Sequence, residues 1–499
     1  MPERHVLENK KIACLDLHSS LYLNSKNNPF GGGDIGDLYR LVDKAAQAGF
    51  SLLQFTPIQD TGLNPSPYMG ISIFSFNPIY LWVNDLPSND RLETLKRERV
   101  NAAKSEPKDF INYKGLYNFK VEALRTVCKP SDAINPLKYP REVLAYALFK
   151  ALKNKLKGKW TSWPELFHKF EPKVILKANP GLLDEVKFIL FTQDVLKKQW
   201  LDFRRYAHQK KVHLSFDKPI YPVPDSAEVW ANQELFYLNH DGSPKYISGC
   251  NNPRDPFGPQ EWGQSVYKFK EEPDKTIDYF ILSARHISQY AQVIRLDHTL
   301  ALIWKYYLID SKTKKGKHVP ALKHRLFSRL QKELPEVIFI AEDVGYISKR
   351  EIDIPLGRHH IPGIRSPQWD RRIKYRFIDD YPEFCVALCS NHDLPSIHVW
   401  WERLKSSRRK AFLRQIYKSE EEVKIHNNET DAWDVVELVF SSDAWIASIS
   451  LRDIIADNRR YNKPGELNAT NWRLRSPQLI EEIDFSKIAR TIKETGRGR

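Results

Sequence analysis

The sequence predicts an α/β fold, a (β/α)8 TIM barrel with helical insertions at the C-terminal face of the strands. Three observations point there: a recurring helix-then-strand rhythm, acidic residues at the ends of those strands, and a length that exceeds what a barrel needs. Repeated α-to-β units imply parallel strands covered by helices, which periodicity alone leaves open between a doubly wound sheet and a barrel. A barrel takes roughly 250 residues, and the chain has 499. The surplus leaves room for insertions around the mouth.

The rhythm starts over 34–49, where Ile35, Leu38, Leu41, Val42 and Ala45 share one face of a helix that Gly49 caps. A strand follows at 52–55 and ends at Pro57. The same grammar predicts a helix over 192–209 with a strand at 212–216, and a helix over 276–290 with a strand at 292–296. It recurs as a helix over 321–334 with a strand at 337–340, and further strands are predicted at 384–388 and 445–449. Residues 86–190 interrupt it, being rich in Lys, Leu, Ala and Glu with helical spacing over 141–156. The expected organisation is one catalytic barrel domain over 1–499 with a helical insertion subdomain at 86–190. Gly31-Gly32-Gly33-Asp34-Ile35-Gly36 fits a dinucleotide-binding pattern, but the polar stretch 24–29 before it is no strand, so it reads as a turn into the first helix.

Composition removes several classes. Hydrophobic residues make up 41% of the chain and mean hydropathy is −0.52, as in a soluble globular protein. Five cysteines with no Cys-x-x-Cys pair disfavour a disulfide framework and a zinc ribbon. No segment approaches the ~18 apolar residues that span a bilayer, and the N-terminus has no signal-peptide pattern, so a cytoplasmic location is expected. The net charge of 77 − 62 = +15 is scattered rather than blocked into an arm, and no nucleic-acid motif accompanies it. Aromatics at 12%, including 13 Trp, nominate flat ligands such as sugar rings.

The carboxylates carry the chemistry. Asp217 follows the strand at 212–216, Asp297 closes Val293-Ile294-Arg295-Leu296, Glu342 closes Val337 to Ala341, and Asp393 follows 385–388 by a short link. At the mouth of a barrel such strand ends converge. Alternation puts Arg295 and Asp297 on one face, where the guanidinium would hold the carboxylate ionised. Glu342, after Phe339-Ile340-Ala341, is the one expected to keep its proton. One ionised and one protonated carboxyl group suit glycosidic chemistry, which needs a nucleophile and an acid for the leaving oxygen. His298 and His392 adjoin Asp297 and Asp393 in the same polar site. Cys385 and Cys389 read as small buried strand residues.

The stretches Arg295-Leu296-Asp297-His298, Ile340-Ala341-Glu342-Asp343-Val344-Gly345 and Asn391-His392-Asp393 resemble the nucleophile, acid/base and third-carboxylate motifs of the 4-alpha-glucanotransferases, the amylomaltase or disproportionating enzymes of glycoside hydrolase family 77 in the α-amylase clan. The resemblance runs through Pro65-Ser66-Pro67-Tyr68, Asp217-Lys218-Pro219-Ile220-Tyr221, Asp225 to Asn232, Glu261-Trp262-Gly263, and Asn462 to Gly465 with Asn471-Trp472-Arg473. It implies the barrel and a retaining transfer of an α-1,4-glucan segment to the 4-hydroxyl of an acceptor sugar. By it Asp297 is the nucleophile, Glu342 the acid/base and Asp393 the third carboxylate. Arg295, His298 and His392 orient the cleaved ring with Asp217 nearby, and Tyr68 and Trp262 stack on sugars. No cofactor and no metal are implied. The expected partners are maltooligosaccharides and starch- or glycogen-derived glucans, with no nucleic acid and no membrane. An α-glucan hydrolase of the same clan and a non-catalytic glucan-binding protein are the alternative readings.

The chain departs from the family pattern in places. Thr299-Leu300-Ala301 stands for Phe-Arg-Gly, Leu394 for Asn, and Phe216 for a Gly before Asp217, while Asn252 to Phe257 lacks a Pro-Asp-Tyr-Phe. These changes touch chain-length preference and acceptor binding more than the reaction.

Overall fold

A computed structural model describes residues 10–128, 134–251, 259–344, 356–369, 378, 381–417, 419–428, 432–466 and 468–498. The expectation for 252–257 and the end of the Glu342 motif at Gly345 lie outside the described residues.

Eight parallel strands close a barrel: β1 (Ile12–His18), β2 (Leu52–Phe55), β3 (His213–Lys218), β6 (Val293–Leu296), β9 (Ile338–Ala341), β10 (Gly363–Arg365), β11 (Cys385–Leu388) and β12 (Ile446–Ser450). They follow one another around the wall in sequence order, and β12 returns to pair with β1 through Ile12↔Ile446 to Asp16↔Ser450. These strands read as nearly continuous apolar runs because both of their faces are covered. Cys14, Leu52, Val293, Ile338, Ile340, Ile364, Val386 and Ile446 pack together inside the barrel. Their alternating neighbours Ala13, Leu15, Leu53, Leu214, Ile294, Phe339, Ala387 and Ala447 join the core outside it.

The expected strands are present with edges moved by one or two residues. The strand expected at 212–216 instead spans His213–Lys218, so Asp217 is a ladder residue opposite Arg295 rather than the residue after the strand. The run leading to Gly36 is a turn, as expected. Gly31 adopts φ +92°, and Asp34 caps the helix Ile35–Ala48 in a capping box with Asp37. Gly49 ends that helix at φ 98°, a left-handed geometry that suits glycine.

The connection from β2 to β3 carries the helices Asp90–Lys104, Tyr113–Val127, Arg141–Leu156 and Pro172–Ala178. The helix expected from Thr192 begins earlier, at Leu183, and runs 27 residues to Gln209 as one rod leading back to the barrel. A second sheet, absent from the sequence expectation, is inserted around β6. Its strands β4 (Tyr246–Cys250), β5 (Gln260–Ser265), β7 (Lys305–Asp310) and β8 (Gly316–Pro320) are antiparallel in the order β5-β4-β7-β8. It forms one wall of the cleft described next. No helix among the described residues is long and apolar enough to cross a membrane, and all five cysteines are free.

Candidate active site

A cleft of about 1100 Å³ opens over the C-terminal ends of the barrel strands. Asp297, Glu342 and Asp393 line it together with Tyr68, Trp262, Arg295 and His298. Asp217 and His392 sit one layer deeper, around a small void inside the barrel that shares Arg295 with the cleft. All nine residues singled out in the sequence therefore gather at one mouth, as parallel strands require.

The ends of β6 and β9 are tied to each other. The Glu342 amide donates to the Leu296 carbonyl at 3.0 Å, and the Thr299 amide to the Glu342 carbonyl at 2.9 Å. The His298 amide donates to Glu342 Oε2 at 2.7 Å. His298 holds φ 44°, a left-handed conformation that a bulky residue seldom adopts, so the turn after Asp297 is kept in a sparsely populated geometry. Trp262, on β5, meets the His298 ring edge-on at 4.7 Å.

Electrostatics separates the carboxyl groups. Burial pushes Glu342 well above the ordinary carboxyl range, and Asp297 nearby adds to it against the pull of Arg295. Asp297 is also raised by burial, to about 6, because Arg295 only partly offsets the desolvation. The sequence expectation that Arg295 serves Asp297 needs correcting: Arg295 Nη1 donates to Asp217 Oδ2 at 2.6 Å and reaches Asp297 Oδ1 only at 3.5 Å. Side by side on β3 and β6, Arg295 and Asp217 form the tighter pair. Burial raises both groups, and the Coulombic push of Asp297 adds to it at Glu342.

Asp393 behaves oppositely. Burial works against its charge, yet His392 and Asn462 overcome it and hold the group down at about 2. Asn462 Nδ2 donates to Asp393 Oδ1 at 2.6 Å, and His392 Nε2 lies 3.2 Å from Oδ2. The Arg460 guanidinium donates to the Asp393 carbonyl at 2.6 Å. His392 is raised by Asp393 in spite of its own burial. Tyr68 donates to Asp217 Oδ2 at 2.6 Å, and its ring lies 5.7 Å from Trp472.

Sequence reasoning missed several contributors. Gln54 Nε2 donates to Asp217 Oδ1 at 2.8 Å. Asp16, beside Gln54 in the β1–β2 register, accepts from His18 at 2.9 Å. Asn462 and Trp472 belong to stretches that carried the resemblance, but nothing in their spacing shows that Asn462 bonds Asp393 and Trp472 packs near His392. Trp304 lines the cleft three residues beyond the Thr299-Leu300-Ala301 departure.

Similarity to known proteins agrees with this geometry. A family model described as 4-alpha-glucanotransferase matches residues 20–480. The chain is 30% identical over 496 residues to a 4-alpha-glucanotransferase of Aquifex aeolicus, covering 95% of this chain and 97% of that one. It is 28% identical to a 4-alpha-glucanotransferase of Thermus thermophilus, covering 93% and 95%. The amylomaltase of Streptococcus agalactiae, solved in complex with acarbose, superposes with a TM-score of 0.83 at 22% identity, over 98% of this chain and all of that one, a likeness of fold. The chain belongs to the 4-alpha-glucanotransferase family, glycoside hydrolase family 77, and is an enzyme of that type.

Proposed function

We propose that Asp297, Glu342 and Asp393 carry the 4-alpha-glucanotransferase reaction of this chain as a retaining double displacement on α-1,4-glucans. The observation that supports this reading is the hydrogen-bonded junction of the β6 and β9 ends, which brings Asp297 and Glu342 to the floor of one cleft, with burial favouring the protonated form of Glu342. Asp297 attacks the anomeric carbon, the glycosidic C–O bond breaks, and the Glu342 proton goes to the leaving oxygen. The 4-hydroxyl of an acceptor sugar then gives its proton to Glu342 and displaces Asp297, releasing the lengthened chain. Asp393, fully ionised and held from behind by Asn462, offers its free electron pairs to sugar hydroxyls of the cleaved ring. Arg295 balances the charge of Asp217 and Asp297 together, and Tyr68 and Trp262 face the sugars across the cleft.

The donor and acceptor are maltooligosaccharides or longer α-glucans in a single domain working in the cytoplasm. Incubation with maltotriose tests the reaction: a ladder of longer oligosaccharides with glucose is expected. Reducing ends that rise with no longer product would indicate hydrolysis and overturn transfer. Asp297→Asn and Glu342→Gln should each lower turnover by several powers of ten, on the order of 10⁴, with the fold intact by circular dichroism. Ordinary turnover in either variant refutes the assignment.

A further inference from the structure

The antiparallel sheet carries the cleft wall well beyond the carboxylates. Trp262 stands on β5 beside His298, whereas Tyr307 and His318 stand opposite each other on β7 and β8 and line the same cleft. From β5 to β7 and to β8 takes two and three strand spacings, about 10 and 14 Å, so these two rings serve sugar units well away from the one being cleaved.

The pair is built rather than incidental. The Tyr307 and His318 rings lie 4.8 Å apart. Asn251 Nδ2 donates to the Tyr307 hydroxyl at 3.1 Å, which fixes the far end of the ring. That hydroxyl occupies the space over Gly316, where a Cβ would stand 1.9 Å from it, so glycine at this position is what admits the ring. Burial and the neighbouring Lys305 hold the His318 imidazole below its usual range, so at neutral pH it presents an uncharged aromatic face. Around the platform, Asn251, Gln260 and Lys305 offer polar groups to the cleft. Flat rings flanked by hydrogen-bonding groups suit a pyranose, whose C–H face stacks while its hydroxyls bond at the edge.

We infer that Tyr307 and His318 form a distal subsite for a neutral glucosyl unit of a long α-glucan, positioned by Gly316 and Asn251, that gives longer chains an advantage over short ones. This rests on the reading of the cleft as a glucan site.

Calorimetric titration of maltoheptaose and of maltotriose into Asp297→Asn protein, which does not consume them, provides the test. Tyr307→Ala should cut the preference for maltoheptaose over maltotriose about fivefold to tenfold. His318→Ala, on the exposed edge strand, and Gly316→Ala, which displaces the ring, should cut it in the same direction, while Tyr307→Trp should retain it. Equal weakening of both sugars, or no change in any of the three variants, overturns the subsite. Binding of both sugars by a wild-type chain that makes no ladder from maltotriose would instead fault the proposed reaction and leave the subsite standing.

Discussion

Asp297 and Glu342 share a floor and a neighbour, Arg295, yet burial acts on them unequally, and the pH dependence follows from that difference. Asp297 sits near 6, so lowering pH through about 6 adds a proton to the proposed nucleophile, and kcat/KM should fall there. Burial holds Glu342 well above the ordinary carboxyl range, so the alkaline arm reports loss of its proton and should vanish in whatever activity Glu342→Gln retains. A profile of kcat/KM on maltotriose that stays level from pH 7 to about 5 would contradict the acid arm. At this scale the carboxylates were legible because each ends an apolar strand. The groups that tune them were not: Gln54, Asn462 and Arg460 come from loops or distant strands with no local pattern, and the partner of Arg295 depended on the β3–β6 register.

At the scale of elements, the helices with a clear apolar stripe were readable and the irregular strands were not. The helix over 141–156 has the bounds its spacing gives. Strand β1 was missed because its inner face alternates Cys14 with Asp16, which breaks the apolar run. Strand β10 has three residues, one of them glycine, too few to show a period. Strand β5 is polar and lines the cleft, and β4 mixes Ser248 and Gly249 among its buried positions, so neither shows an apolar alternation. Strand β3 carries an instructive exception, a lysine at the buried position 218. Its ammonium is buried 3.5 Å over the Phe280 ring, and burial drives it down to about 7. The unfolded chain holds that proton up to its ordinary value of 10.5, so between 7 and 10.5 the unfolded state binds more protons and stability from this group rises with pH. Lys218→Leu should therefore raise the melting temperature at pH 7 by a few degrees, with a smaller gain near about pH 10. Scanning calorimetry showing a loss at pH 7 would contradict this.

At the scale of the molecule, a buried arginine near the C-terminal end of the described chain ties segments at the underside of the barrel. Arg497 donates to the Phe440 carbonyl at 2.5 Å and to the Ser442 carbonyl at 2.6 Å, just ahead of β12. Removing it leaves the buried Phe440 carbonyl without this donor, while the Ser442 carbonyl keeps only Lys11 at 3.2 Å, so Arg497→Ala should cost about 2 kcal/mol in urea unfolding. Its distance from the cleft predicts little change in kcat on maltotriose at temperatures where the variant is folded. A variant as stable as the wild type would show that these bonds are replaced by water. The mouth is organised differently. Because the loop after Asp297 is bonded to both the backbone and the side chain of Glu342, the proposed nucleophile and the proposed proton donor ride on one rigid unit. Cleft walls can therefore be rebuilt, loop by loop, to favour other chain lengths without detuning the spacing on which bond exchange depends.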